Sequence, residues 1–269
     1  MKMIEKSVLS FDNTLLFARY DLIDNPKGLI IIVHGVSESS DRYRHVASAL
    51  NDFGYDVISF DNRGNARSGG AVGDCHSFLD FIEDTHYFVQ ENKDKYQKIY
   101  LLGHSMGGFI VNAYVCKYQD ISGVISSGAV GIYLDQVKAF RYIPFKPFKK
   151  LWIKNNLSND LCHDEEVSKA YVASPYVNKR NRVNLFGECF VKGVKFIYKN
   201  YQNYQGPILY LHGEDDKIVP VKSSKYLYEI SASKDKDIKI YEGFYHEIFN
   251  EIGKEKVFSD VKGWLALHE

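Results

Sequence analysis

The sequence predicts an α/β fold: a mostly parallel, doubly wound sheet with an antiparallel hairpin in front and a helical insertion late in the chain. Three observations carry this. Short aliphatic runs, LIIIVHG at 29–35 and PILYLHG at 207–213, have the length and β-branched content of strands buried on both faces. These runs alternate with segments of helical periodicity, as crossover connections between parallel strands require. The alternation stops after Val130 and resumes only near residue 206.

Element by element, Met3 to Phe11 and Leu15 to Leu22 alternate about a turn at Asp12-Asn13 and read as a hairpin. After the strand at 29–33, Ser39, Ser40 or Asp41 is placed to cap a helix whose apolar positions are Tyr43, Val46, Ala47, Leu50 and Phe53, ended by Gly54. The strand YDVISFD follows, then a helix around Phe78 to Glu91, the strand KIYLLGH, a helix from Met106 and the strand ISGVISS. Beyond the interruption come PILYLHG, a helix near Ser223 to Ile230, the strand DIKIYEG and a final helix with Val257, Val261, Trp264 and Leu265 on one face. The chain thus divides into a core, 1–130 and 206–269, and an insertion, 131–205, expected to hold short helices and loops without a clear sheet strand. An insertion between strands of such a sheet lies over the strand ends, where these folds place their sites.

A chain of 269 residues fits one large α/β domain with an insertion. Its 34 basic and 34 acidic residues cancel, so no electrostatic signature of nucleic-acid binding is present. The four cysteines, Cys75, Cys116, Cys162 and Cys189, show no paired spacing, and the N-terminus has no apolar run of the kind a signal peptide carries. A reduced, cytoplasmic protein is the expectation.

The chemistry is carried by Gly103-His104-Ser105-Met106-Gly107, a G-x-S-x-G pattern. It follows an apolar strand and opens a helix with Ile110, Ala113 and Tyr114 on one face, the setting of a nucleophile elbow. The turn is tight, so small residues must flank the serine. A serine hydroxyl needs a base. Of the nine histidines, His246 lies on the loop after the last strand, at the sheet edge where Ser105 emerges. His34, His104 and His212 sit beside strand-end glycines and suit structural roles, while His45, His76, His86, His163 and His268 read as surface residues. The acid that orients the imidazole must come from another loop at the same edge. "LHGEDDKIVP" offers two adjacent candidates, Asp215 and Asp216.

With these residues in hand, the chain resembles α/β-hydrolases of the monoacylglycerol lipase and lysophospholipase group. The segments that carry the resemblance are VHG (33–35), DNRGNARS (61–68), GHSMGG (103–108), HGEDDKIVP (212–220) and IYEGFYHE (240–247). In that family the catalytic acid is the third residue after the strand-end glycine, which selects Asp216 over Asp215. The resemblance also implies an oxyanion hole built from the backbone N–H groups of Val36 and Met106. One departure stands out: Ala66 replaces a glycine common in the D-x-R-G-x-G-x-S loop, which carries strain if that position needs positive φ.

The implied activity is serine ester hydrolysis through an acyl-enzyme, with a monoacylglycerol or lysophospholipid as substrate and no cofactor or metal. Alternatives are a general carboxylesterase for short or aromatic acyl esters, an acyl thioesterase or peptidase, and a binding protein on the same fold. The complete triad argues against the last. The resemblance places the insertion as a cap over the acyl site. Within it, KAFRYIPFKPFKKLWIK (138–154) has six basic residues, no acidic ones and eight large apolar side chains. That mixture suits contact with an anionic lipid surface; the alternative is a cap helix packing its apolar face on the core with its lysines in water.

Overall fold

A computed structural model describes residues 2–135 and 137–269. The main sheet has eight strands: β1 (Lys2–Leu9), β2 (Leu15–Leu22), β3 (Leu29–Val33), β4 (Asp56–Phe60), β5 (Ile99–His104), β6 (Gly123–Ser127), β9 (Ile208–Gly213) and β10 (Lys236–Tyr241). Their spatial order is β1-β2-β4-β3-β5-β6-β9-β10, with β1 and β2 antiparallel and every pairing from β4 to β10 parallel. Every residue of β3, β4, β5, β6 and β9 is buried, as the unbroken apolar runs anticipated.

Alternation along β3 shows why. Leu29, Ile31 and Val33 join one core layer, with Phe81, Phe109 and Ile110, while Ile30 and Ile32 join the other, with Val46, Leu50, Val257 and Trp264. The second layer is formed by α1 (Arg44–Asp52) and α8 (Glu255–Leu267). The first includes α2 (Phe78–Gln90) and α3 (Met106–Val115), whose ten residues are all buried. Helix α2 starts in a capping box, with Ser77 and Asp80 each bonded to the other's end of the turn. The expected side-chain cap of α1 does not form. A 3₁₀ turn at Ser40–Tyr43 precedes that helix, and the Ser40 N–H and hydroxyl both donate to Asp61, at 2.8 and 2.7 Å. The buried Asp61 carboxylate, also held by Arg67, takes the serine that would have capped.

Between β6 and β9 the chain leaves the main sheet. It forms α4 (Glu165–Ala173), then α5 (Val183–Gly187), a π-helical turn (Glu188–Gly193) and α6 (Val194–Asn200) in one continuous run. Helix α7 (Lys222–Ile230) follows β9. The insertion does contain strands: β7 (Trp152–Lys154) and β8 (Arg180–Arg182) pair antiparallel as a separate two-stranded ribbon. Three residues each are too few to give a strand signal in sequence. The basic stretch 138–154 makes two 3₁₀ turns and β7 rather than a helix with a buried face.

Parallel register brings the functional loops to one edge. Val33 pairs with Gly103, His104 with Ser127, and Tyr241 with Gly213. The residues that follow these strand ends therefore leave the sheet side by side.

Candidate active site

Ser105 sits between β5 and α3 with φ +57° and ψ −114°, a strained conformation for a residue with a side chain. The flanking glycines are dictated by backbone contacts. A Cβ at Gly103 would collide with the Gly107 carbonyl, and one at Gly107 with the Val33 carbonyl oxygen. Ser105 N–H donates to the Ser127 carbonyl at 2.9 Å, tying the turn to β6.

His246 and Asp216 meet across two loops. His246 Nδ1–H donates to Asp216 Oδ2 at 2.6 Å, and both side chains are buried. The other Asp216 oxygen accepts the N–H groups of Ile218 and Val219, each at 2.8 Å. His212 adds a further contact, its Nε2 lying 3.0 Å from Asp216 Oδ2. Asp215 points to solvent. Burial works against ionisation of Asp216, but His246 and His212 outweigh it and hold the carboxyl below its ordinary 3.8. Burial likewise disfavours the His246 imidazolium, but Asp216 overcomes that penalty and its pKa rises above 6.5. The ring of His104 lies 4.6 Å from that of His246; burial, then the like charge of His246, push His104 down to about 3, so it stays neutral.

The loop after β3 stands against Ser105. A Cβ at Gly35 would lie 3.1 Å from Ser105 Cβ. Met106 is the first residue of α3, so its N–H has no acceptor within the helix. Among the described residues, no protein acceptor takes the Val36 N–H. Ala66 has φ +45°, so alanine does occupy a left-handed position in the loop after β4.

Two cavities reach Ser105. One, of about 300 Å³, is lined by Val36, Val130, Leu134, Val137, Phe186, Phe190 and Val219, with Ser37, Asn155, Asn156 and Asn181 among its polar members. The second, of about 10 Å³, lies between Ser105, His246, Glu38, Glu247, Leu161 and Tyr171. It has room for about one water.

Several residues around the site were not identified from sequence. Glu38 accepts the Gly35 N–H at 2.5 Å and the Tyr43 hydroxyl at 2.8 Å. Arg42 bonds Glu38 at 3.0 Å and also Glu247. Asn181, the inward residue of β8, donates to Ser37 Oγ at 2.5 Å. An acid three residues after the strand-end Gly35, inside an otherwise buried segment, was a usable signal for Glu38. The Arg42–Glu247 pair joins distant parts of the chain and left no local trace. His34 and His212 are structural ligands of their loops, as expected. Three histidines assigned to the surface are partly buried instead: His45 bonds the Phe249 carbonyl, His86 stacks on Tyr118 at 3.7 Å, and His268 bonds the Trp264 carbonyl. Each closes a packing or capping gap that only the folded chain creates.

Comparison with known proteins identifies the family. Residues 24–253 match the hydrolase family described as Serine aminopeptidase, S33. A monoacylglycerol lipase of Mycolicibacterium smegmatis is 31% identical over 251 residues, covering 91% of this chain and 90% of its own. Phospholipase YtpA of Bacillus subtilis is 27% identical, covering 90% and 96%. The crystal structure of Paleococcus ferrophilus monoacylglycerol lipase superposes with a TM-score of 0.84 at 27% identity, over 94% of this chain and 99% of that one. The chain therefore belongs to the S33 family of α/β-hydrolases and is a serine hydrolase.

Proposed function

We propose that the protein hydrolyses single-chain lipid esters, monoacylglycerols or lysophospholipids, through an acyl-enzyme on Ser105. The observation that carries this reading is the apolar cavity of about 300 Å³ that ends on Ser105. A flexible acyl chain fills such a space, while the ester carbonyl meets the nucleophile. The lipase and phospholipase relatives support the same substrate class.

Ser105 attacks the carbonyl as His246 accepts its proton through Nε2, since Nδ1 is committed to Asp216. Asp216 fixes the ring and stabilises the imidazolium. The Val36 and Met106 N–H groups hold the tetrahedral oxyanion. His246 then gives the proton to the departing alcohol, and a water activated by the same imidazole releases the fatty acid. The small cavity beside His246 suits that water. A peptidase reading is the alternative. Glu38 and Glu247 beside Ser105 are already bonded to Arg42, but Asp160 on the wall of the larger cavity has no ion-pair partner among the described residues, so amide substrates belong in the same test.

In this reading residues 131–205 are the cap and residues 1–130 and 206–269 the catalytic core. The cap also supplies a surface for peripheral contact with anionic membranes. Tyr142, Ile143, Leu151 and Trp152 are exposed there beside Lys146, Lys149 and Lys150, and the Arg180 and Arg182 guanidiniums lie over Trp152 at 4.4 and 3.6 Å. No helix among the described residues is long and apolar enough to cross a membrane. Four free cysteines support a reducing, cytoplasmic setting.

A substrate screen tests the proposal. Purified enzyme should prefer esters of medium or long single acyl chains over acetyl esters, thioesters and amides. Preference for acetyl or aromatic acyl esters would instead favour a general carboxylesterase.

A further inference from the structure

We infer that Glu38, Arg42 and Glu247 form a buried brace that holds the oxyanion loop and the loop of the catalytic base in register on either side of Ser105. The inference rests on the roles proposed above for Ser105, His246 and Val36.

The brace runs unbroken between the two halves of the site. Gly35, one residue before the Val36 donor, is fixed by its N–H to Glu38 Oε1 at 2.5 Å. Tyr43 donates to the same oxygen at 2.8 Å, and Arg42 Nε takes the other at 3.0 Å. The second arm of Arg42 bonds Glu247, the residue after His246. Asn250 donates to Glu247 at 2.8 Å, and the Glu247 N–H donates to the Leu161 carbonyl at 2.7 Å. Tyr171 closes the assembly from the insertion, its ring 4.8 Å from the Arg42 guanidinium. Glu38 and Glu247 are both buried. A planar guanidinium spans two carboxylates with fixed geometry, which a lysine cannot do.

Two carboxylates share one cation, so their protons are unequal. Burial raises Glu247, and Arg42 does not fully compensate. Burial also raises Glu38, but Arg42, His104 and His34 outweigh it and bring it below its ordinary value. The charged groups that face His246 are Asp216 and, behind it, His212; His104 beside the ring; and Glu247 and Glu38 with Arg42 between them. Glu247 and Glu38 both favour the imidazolium. The brace therefore holds the base's position and adds to Asp216, the larger influence, in favouring its charged form. Glu38, Arg42 and Glu247 are positioning residues rather than catalytic ones.

The test is kinetic and spectroscopic. Glu247→Gln keeps the shape and the polar contacts but removes the charge. The expected result is a fall in kcat of about tenfold with KM within about twofold, because a loosened base loop costs transition-state alignment. The acid limb of kcat/KM should move to lower pH by roughly half a unit, and NMR titration of His246 should move with it. Glu38→Gln should weaken binding of an aryl boronic acid, a mimic of the tetrahedral state, by about tenfold while KM changes little. Labelling of Ser105 by a fluorophosphonate is measured first in the wild type and in each variant. No labelling of the wild type overturns the reading of the site and the brace with it. A labelled wild type with Glu247→Gln unchanged in kcat and pH profile overturns the brace alone. If Glu247→Gln does not fold, Glu38→Gln decides: unchanged boronic acid affinity overturns the brace.

Discussion

Asp215 and Asp216 are neighbours in the chain but opposite in environment: Asp216 is buried at 2.6 Å from His246 Nδ1, and Asp215 faces solvent. Successive side chains on an extended loop diverge, so only one of the pair can reach the imidazole. Asp216→Asn should lower kcat by about 10⁴, because the amide can hold the wrong tautomer and cannot stabilise an imidazolium. Asp215→Asn should cost less than about tenfold, since it loses no contact with the base. Steady-state kinetics on both variants check this, and the reverse ranking would reassign the acid.

Ser105→Ala should lower kcat by roughly 10⁴ to 10⁶, since triad members act as a unit. Labelling by a fluorophosphonate should vanish while the thermal transition stays close to that of the wild type. A variant retaining more than about a tenth of wild-type activity would remove Ser105 from the nucleophile's role.

Activity should rise with pH through a midpoint above 6.5, because His246 must be neutral to accept a proton and its pKa is raised in the fold. The sign is opposite for stability. A raised histidine contributes stability that is complete below its unfolded pKa and is lost as pH rises through the folded one. Asp216, with a depressed pKa, contributes stability that is present above 3.8 and lost as pH falls through its folded value. Rate profiles and melting curves across pH 4 to 9 should therefore slope in opposite directions above neutrality. A flat rate profile from pH 5 to 8 would count against a histidine base.

Reversal of Lys146, Lys149 and Lys150 to Glu should weaken binding to anionic vesicles, each charge contributing about 1 kcal/mol near such a surface. All three are exposed, and among the described residues none pairs with a carboxylate. Hydrolysis of a soluble short-chain ester should stay within about twofold. Vesicle sedimentation gives the answer, and equal binding by the variant and the wild type would exclude this face as the lipid contact.

The sheet and the tight turn at Ser105 were legible in sequence because both write local signals. Buried parallel strands need unbroken aliphatic runs, and the elbow needs small residues around Ser105, so β3, β5 and β9 were found nearly to the residue. The choice between Asp215 and Asp216 needed the family pattern, since both follow the same strand. The ribbon of β7 and β8 was missed because three-residue strands carry no periodicity. Arg42 and Glu247 were missed because charged residues read as surface residues until a partner far along the chain neutralises them.

The glycine at 107 sets a boundary on how this enzyme can change. Its missing side chain lets α3 rest directly on the Val33 carbonyl, backbone against backbone. The spacing between α3 and β3 is therefore set at this point by main-chain contact. Substitutions at Phe186 or Val137 can reshape the cavity that reaches Ser105 while that backbone contact stays. On the proposed reading, main-chain contact fixes the position of the reacting groups while most of the cavity wall is open to revision residue by residue, with Val36 belonging to both.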